Sequence, residues 1–153
     1  MIERTGAGRV AVVAGLLLGL AGCATTEPSG GSGSAKSLYD RLGGKPAIIS
    51  VVDQFVANVA NDKRINGRFA TTDIPKLKRH LVDQVCSASG GPCTYAGRDM
   101  KTTHAGMNIT TADFNALVED LVAALDKFKG REQEKQELLG LLGPMKKDIV
   151  ELP

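Results

Sequence analysis

After residue 36, apolar side chains recur at steps of three and four, and no stretch alternates with period two, so the pattern predicts helices rather than sheet. Ser37 is placed to cap a short first helix, Leu38-Tyr39-Asp40-Arg41-Leu42, which Gly43 and Gly44 stop. Pro46 suits the first turn of a second helix, where Ile48, Val52, Phe55, Val56 and Val59 form one apolar face. Residues 61–69 (NDKRINGRF) read as irregular or as a single turn. Asp73 caps a third helix with Pro75 near its start, and Leu77, Leu81 and Val85 lie four apart on one stripe. Ser89-Gly90-Gly91-Pro92 ends that helix, and a short one is predicted over Asp99–His104. Thr110 and Asp113 make a capping box that opens the clearest helix in the chain. Phe114, Leu117, Val118, Leu121, Val122, Leu125 and Phe128 share its apolar face, and Gly130 is read as its stop. A last helix from about Glu132 turns Leu138, Leu139, Leu142, Met145 and Ile149 inward. Gly143-Pro144 should break or kink it, because proline lacks the amide hydrogen and clashes with the preceding turn.

The first 36 residues follow a different pattern. Arg4 and Arg9 precede an apolar or small-residue run, Val10 to Gly22, laid out like a secretory signal. The run is shorter than the roughly 20 residues a membrane-spanning helix needs. It ends in Leu20-Ala21-Gly22-Cys23, which resembles the bacterial lipoprotein cleavage box. That resemblance implies removal of residues 1–22 and lipid attachment at Cys23. Ala24 follows in place of the Asp that commonly retains lipoproteins at the inner membrane, so the periplasmic face of the outer membrane is expected. A cleaved signal without lipid is the alternative. Residues 23–36 are rich in Gly, Ser, Thr and Pro and read as a flexible tether, which leaves 37–153 as one domain.

Composition adds two constraints. The formal charge is +2, and loss of Glu3, Arg4 and Arg9 with the leader would leave +1, so nothing favours a nucleic-acid partner. Trp is absent and aromatics are only 4% of residues, so something other than large rings is expected to fill part of the interior.

Only two histidines are present, and both fall on predicted helices. His80 lies beside the Leu77–Leu81 stripe, and His104 follows Met100 by four, on the same helical face. Neutral imidazole is a good ligand for iron or zinc. Two histidines do not close a zinc site, which wants four ligands, and no Cys-x-x-Cys or His-Glu-x-x-His motif supplies the rest. The absence of Cys-x-x-Cys-His excludes covalent haem attachment of that type. Haem brings four nitrogens of its own and needs one or two axial ligands, which two histidines facing an apolar pocket would suit. From spacing alone, a packed or surface histidine is the commoner reading.

The segments SLYDRLGGKPAIISVVDQF, RFATTDIPKLKRH and GGPCTYAGRDMKTTHAGM, followed by the Ile109–Phe128 helix, resemble the group I truncated haemoglobins. The match runs from about Leu38 to Val150, and GRDMKTTH is its most specific part. The resemblance implies an all-α, two-over-two helical sandwich and non-covalently bound haem b. It makes His104 the proximal iron ligand, Met100 and Phe69 haem contacts, and Phe55 a wall of the pocket. Lys76, with Arg98 or Lys101, is read either as facing the haem propionates or as solvated charge. O₂, CO or NO are the implied ligands, and a reductant of unidentified kind would keep the iron ferrous.

The chain departs from the family on the distal side. The position that usually holds a hydrogen-bonding Tyr is Val56, and the two that often hold Gln are Leu77 and Leu81. His80 is the polar distal candidate, either binding iron as a sixth ligand, or hydrogen-bonding a ligand, or pointing to solvent beside Arg79. Loss of the polar clamp weighs against tight oxygen storage and efficient nitric-oxide dioxygenation, and no enzymatic role is read from the family name.

Cys86 and Cys93 enclose six residues, and a secreted compartment favours their pairing. A bridge there would stabilise the domain by about 2–3 kcal/mol in the chain-entropy picture. The alternatives are two reduced, buried cysteines, or a bridge that switches haem ligation. Three functions therefore compete: an envelope globin that binds diatomic gases, a bis-histidine haem protein that passes electrons or senses redox state, and a haem-free lipoprotein interaction module.

Overall fold

The computed structural model describes residues 35–153. The expected leader (residues 1–22), most of the expected tether and the expected lipidation site Cys23 lie outside the described residues. Seven α-helices follow in order among the described residues: α1 (Leu38–Arg41), α2 (Gly44–Asn61), α3 (Ile74–Ala88), α4 (Met100–His104), α5 (Thr111–Lys127), α6 (Glu132–Leu142) and α7 (Lys146–Ile149). A 3-10 turn spans Asn66–Phe69 after α2, and a second one, Gly143–Met145, separates α6 from α7 where Pro144 interrupts the helical ladder. No described helix is long and apolar enough to cross a membrane.

The caps explain why the helices begin where they do. The side chains of Ser37, Asp73 and Asp99 each accept a backbone N–H from the first turn of α1, α3 and α4. Thr110 and Asp113 close the capping box of α5 reciprocally: the Thr110 hydroxyl accepts the Asp113 amide at 3.1 Å, and an Asp113 carboxylate oxygen accepts the Thr110 amide at 2.9 Å. Those bonds to Thr110, helped by the Arg68 guanidinium, hold the Asp113 carboxyl below the usual carboxylate range. Asp113→Ala is therefore expected to lower stability by about 1 kcal/mol at neutral pH, as loss of a helix cap does. Because the folded-state value lies below the unfolded one, this contribution is complete above the unfolded carboxyl's value, about pH 4, and is lost as pH falls through the lower folded value. Denaturant melts of both proteins from pH 7 to pH 2 check it: the gap between them should close at the acid end.

The core is built around α2, which packs against both α3 and α5. Phe55 and Val59 of α2 are buried with Ala116 and Ala124 of α5, and Ile48 and Val52 with Val82 and Cys86 of α3. Leu38, Leu125 and Leu138 form a third cluster that joins α1, α5 and α6. The four longest helices, α2, α3, α5 and α6, are those that a two-over-two sandwich requires. Glu134 on α6 is buried as well, within ion-pair reach of Arg41 and Arg131.

Three local expectations need correction. Phe128 is not on the buried face of α5: it lies one residue past the helix and is 47% exposed. Gly130 does not supply the left-handed stop, because Lys129 holds φ 55° and the Gly130 amide donates back to the Leu125 carbonyl. Gly130 is needed for that close approach, since a Cβ there would sit 3.2 Å from the Leu125 oxygen. The third correction lies at the C-terminus, where periodicity predicted no pairing. Residues 151–152 bond to Ile109 and Thr111, with a single parallel bridge between Thr110 and Leu152.

Candidate haem site

Between α3, α4 and α5 lies a cavity of about 640 Å³ with mostly apolar walls. That falls within the roughly 300–1,000 Å³ that commonly houses a bound small molecule. It accounts for the shortage of large aromatic rings in the interior. It also divides the apolar face of α5: Ala116, Ala124 and Leu125 are buried against protein, whereas Phe114, Leu117, Val118 and Leu121 line the cavity and stay only half-buried. Leu142, Met145 and Ile149 reach the same wall from the C-terminal helices.

His104 enters from the last residue of α4. Its Nδ1 lies 2.8 Å from the carbonyl oxygen of Met100. A carbonyl only accepts, so Nδ1 is the donor in this contact, and in the neutral ring Nε2 is the nitrogen with the free lone pair. This hydrogen bond fixes the tautomer and orients the ring as a metal ligand requires. An imidazole set in an apolar wall fits the demand of haem for an axial nitrogen and an apolar slot.

The cavity brings together most of the residues singled out in the sequence: His104, Met100, Phe55, Lys76, Leu77, His80 and Leu81 all line it, and Arg98 does too. Val56 and Phe69 are not among the residues that line it. Val56 packs against the core clusters around Phe55 and Ile48, and Phe69 packs against the cluster of Phe55, Val59 and Ile65. Phe55 belongs both to that cluster and to the cavity wall, so it presents to the cavity a surface that the other two residues do not reach. Lys101 is exposed and is not part of the lining.

Two polar wall residues were missed in the sequence. Gln84 lies one turn beyond His80, and its Nε2 is 3.3 Å from the sulfur of Met145 and 3.6 Å from that of Met100. Its spacing of four from His80 was the available signal. Tyr95 meets the His80 ring edge-on, with centroids 6.2 Å apart, and its hydroxyl donates to the Arg98 carbonyl at 2.9 Å. Burial pushes the Tyr95 phenol up, so it stays a neutral donor. Nothing in its irregular loop marked it.

The structure joins Cys86 to Cys93, which ties the end of α3 to the loop that carries Tyr95 and leads to α4. Gly91 lies inside this loop, where a Cβ would come within 2.7 Å of the Cys86 sulfur and 2.5 Å of the Tyr39 ring. Only glycine lets the loop pass that close.

Comparison with known proteins agrees with this geometry. The bacterial-like globin family model matches residues 37–151. The group 1 truncated haemoglobin of Mycolicibacterium paratuberculosis is 34% identical over 113 residues, which cover 74% of this chain and 83% of that protein. The corresponding protein of a Nostoc species is 40% identical over 89 residues, covering 58% of this chain and 75% of that one. Among solved structures, the truncated haemoglobin of Tetrahymena pyriformis in its Fe(III) form superposes with a TM-score of 0.73 at 29% identity, over 75% of this chain and 98% of that one. The 2/2 haemoglobin of a Synechococcus species gives 0.71 at 30% identity, with the same coverage. With the family model spanning almost the whole described domain and the fold shared throughout, this chain belongs to the bacterial-like globin family, among the group 1 truncated haemoglobins.

Proposed function

We propose that this haem-binding globin takes up a diatomic gas reversibly from a lipid-anchored position at the cell envelope. One observation carries the gas-binding part: the 2.8 Å contact between His104 Nδ1 and the Met100 carbonyl, which commits that nitrogen and leaves Nε2 as the one to bind iron. Haem, when bound, would supply an iron able to take up O₂, CO or NO, and His104 is the residue that would hold it. The chain contributes the rest. Leu117, Val118, Leu121, Leu77 and Leu81 keep the cavity dry, which protects ferrous iron from water-assisted oxidation. Lys76 and Arg98 bring positive charge to the same wall, suited to propionates. A reductant of unidentified kind would return oxidised iron to the ferrous state.

The proposed envelope location rests on the sequence of residues 1–22, the box ending in Cys23 and the Gly- and Ser-rich composition of residues 23–36. Pairing of Cys86 with Cys93 is in keeping with an oxidising compartment. A second reading has one supporting observation. His80 and His104 line the same cavity, and among the described residues the His80 ring forms no hydrogen bond, so it is available as a second axial ligand for redox work.

Absorption spectra of the purified protein, ferric and ferrous, with and without CO, test the proposal. A Soret band that shifts promptly on CO addition is the expected result. A six-coordinate spectrum in both iron states with slow CO uptake would favour the bis-histidine reading. No Soret band after haem is offered to folded protein would leave the haem-free interaction module.

A further inference from the structure

The helix that carries His104 is only five residues long, and so short a helix has little stability of its own. Something outside it must hold it in place. The segment that follows, Gly106 to Asn108, is gripped from two sides. On one side the Glu151 carboxylate accepts the Gly106 amide at 2.7 Å with one oxygen and the Asn108 amide at 2.6 Å with the other. On the other side the Arg68 guanidinium donates to the Met107 carbonyl at 2.8 Å and to the Asn108 carbonyl at 3.3 Å.

The division of labour follows charge: the carboxylate takes the amide hydrogens and the guanidinium takes the carbonyl oxygens. Both residues that Glu151 holds have left-handed backbone, with φ 77° at Gly106 and 52° at Asn108. Glycine and asparagine are the residues that adopt this conformation most readily, so the sequence suits the turn that the clamp holds. The backbone of Glu151 is anchored in turn, because its amide donates to the Ile109 carbonyl at 2.9 Å. α7, just before it, packs directly on α4. The two amides hold the Glu151 carboxyl below the usual carboxylate range, so it is charged near neutrality.

We propose that Glu151 is a positioning residue for the proximal ligand: with Arg68 opposite, it clamps the turn after His104 and so sets how firmly and in what orientation His104 holds haem. This rests on His104 being the iron ligand. Outer residues that orient a metal ligand typically change metal affinity by about 10–100-fold when removed.

The test uses full-length, haem-loaded protein. Haem transfer to an excess of an apo-globin acceptor gives the loss rate, and resonance Raman of the ferrous form gives the iron–histidine stretching band. Glu151→Ala is expected to release haem about tenfold faster or more and to move or broaden that band. Glu151→Gln, which retains one carbonyl acceptor of the same shape, should fall between Glu151→Ala and the parent on both measures, and it decides the matter if Glu151→Ala does not fold. Loss rates within twofold of the parent overturn the proposal. So does faster loss with the band unmoved, which would reduce Glu151 to a general stabiliser. His104→Ala is the control: if it keeps its pigment, the reading beneath the proposal fails first, whatever the Glu151 variants do.

Discussion

His104→Ala is expected to strip the protein of its pigment. The cavity walls give haem apolar contact, but the described structure offers one imidazole whose tautomer is already set for coordination, the His104 ring bonded to the Met100 carbonyl. Alanine removes the iron–nitrogen bond and leaves a gap in the wall that only solvent or a small ligand can fill. If that bond is worth ~3 kcal/mol or more, haem affinity falls at least about a hundredfold. Titrating haem into both proteins and following the Soret band measures the loss. Imidazole added to the buffer should partly restore the spectrum, since it can occupy the gap and supply the missing nitrogen. Unaltered colour and affinity in the variant would mean that another residue holds the iron. His80, on the same cavity, would then be examined in the same way.

The second large effect concerns the opposite wall. Leu77→Gln is expected to slow oxygen dissociation from the haem-loaded protein by roughly ten- to a hundredfold, the range that corresponds to a charge-assisted hydrogen bond of about 1.5–3 kcal/mol. The native wall has polar groups, yet most of their hydrogens are already committed. The Tyr95 hydroxyl donates to Arg98, and the Gln84 amide faces two thioether sulfurs. Leu77 lines the cavity but belongs to none of the buried core clusters, so an amide placed there disturbs packing less than one at Leu81, which packs against two of them. Leu77→Met is the matching control, similar in volume and without a donor. Displacement of oxygen by CO in stopped flow gives the rates. Equal rates in the Gln and Met variants would show that position 77 does not face the bound gas.

Much of the site was legible in the chain because it is local. The four spacing from Met100 to His104 places the carbonyl of the first over the ring nitrogen of the second within one helical turn, and that geometry needs no tertiary partner. Leu77, His80 and Leu81 were readable for the same reason, as one stripe of one helix. Less was legible where a side chain's surroundings are chosen by another element. Val56 lies next to Phe55 on α2, and periodicity allowed both to face the same space. Packing of α2 between α3 and α5 gives Phe55 to the cavity wall and leaves Val56 in the core. Phe69 ends a single 3-10 turn, which has too few residues for any periodic signal.

Caps, breakers and helical period are properties of neighbours in the chain, so the helix order, the starts at Ser37, Asp73, Asp99 and Thr110, and the break at Pro144 could be read from residue types alone. The family likeness was legible too, because it rests on short motifs at the two glycine pairs and before His104. What an apolar face meets is different, since a helix records the direction of its stripe but not what lies across from it. Only the packed molecule settled that α5 borders a cavity over half its face, that Glu134 is buried beside Arg41, and that Glu151 reaches back from the far end of the domain to grip the turn after His104. Such contacts join residues dozens of positions apart and must offset the entropy of closing the chain between them, a balance that no local pattern encodes.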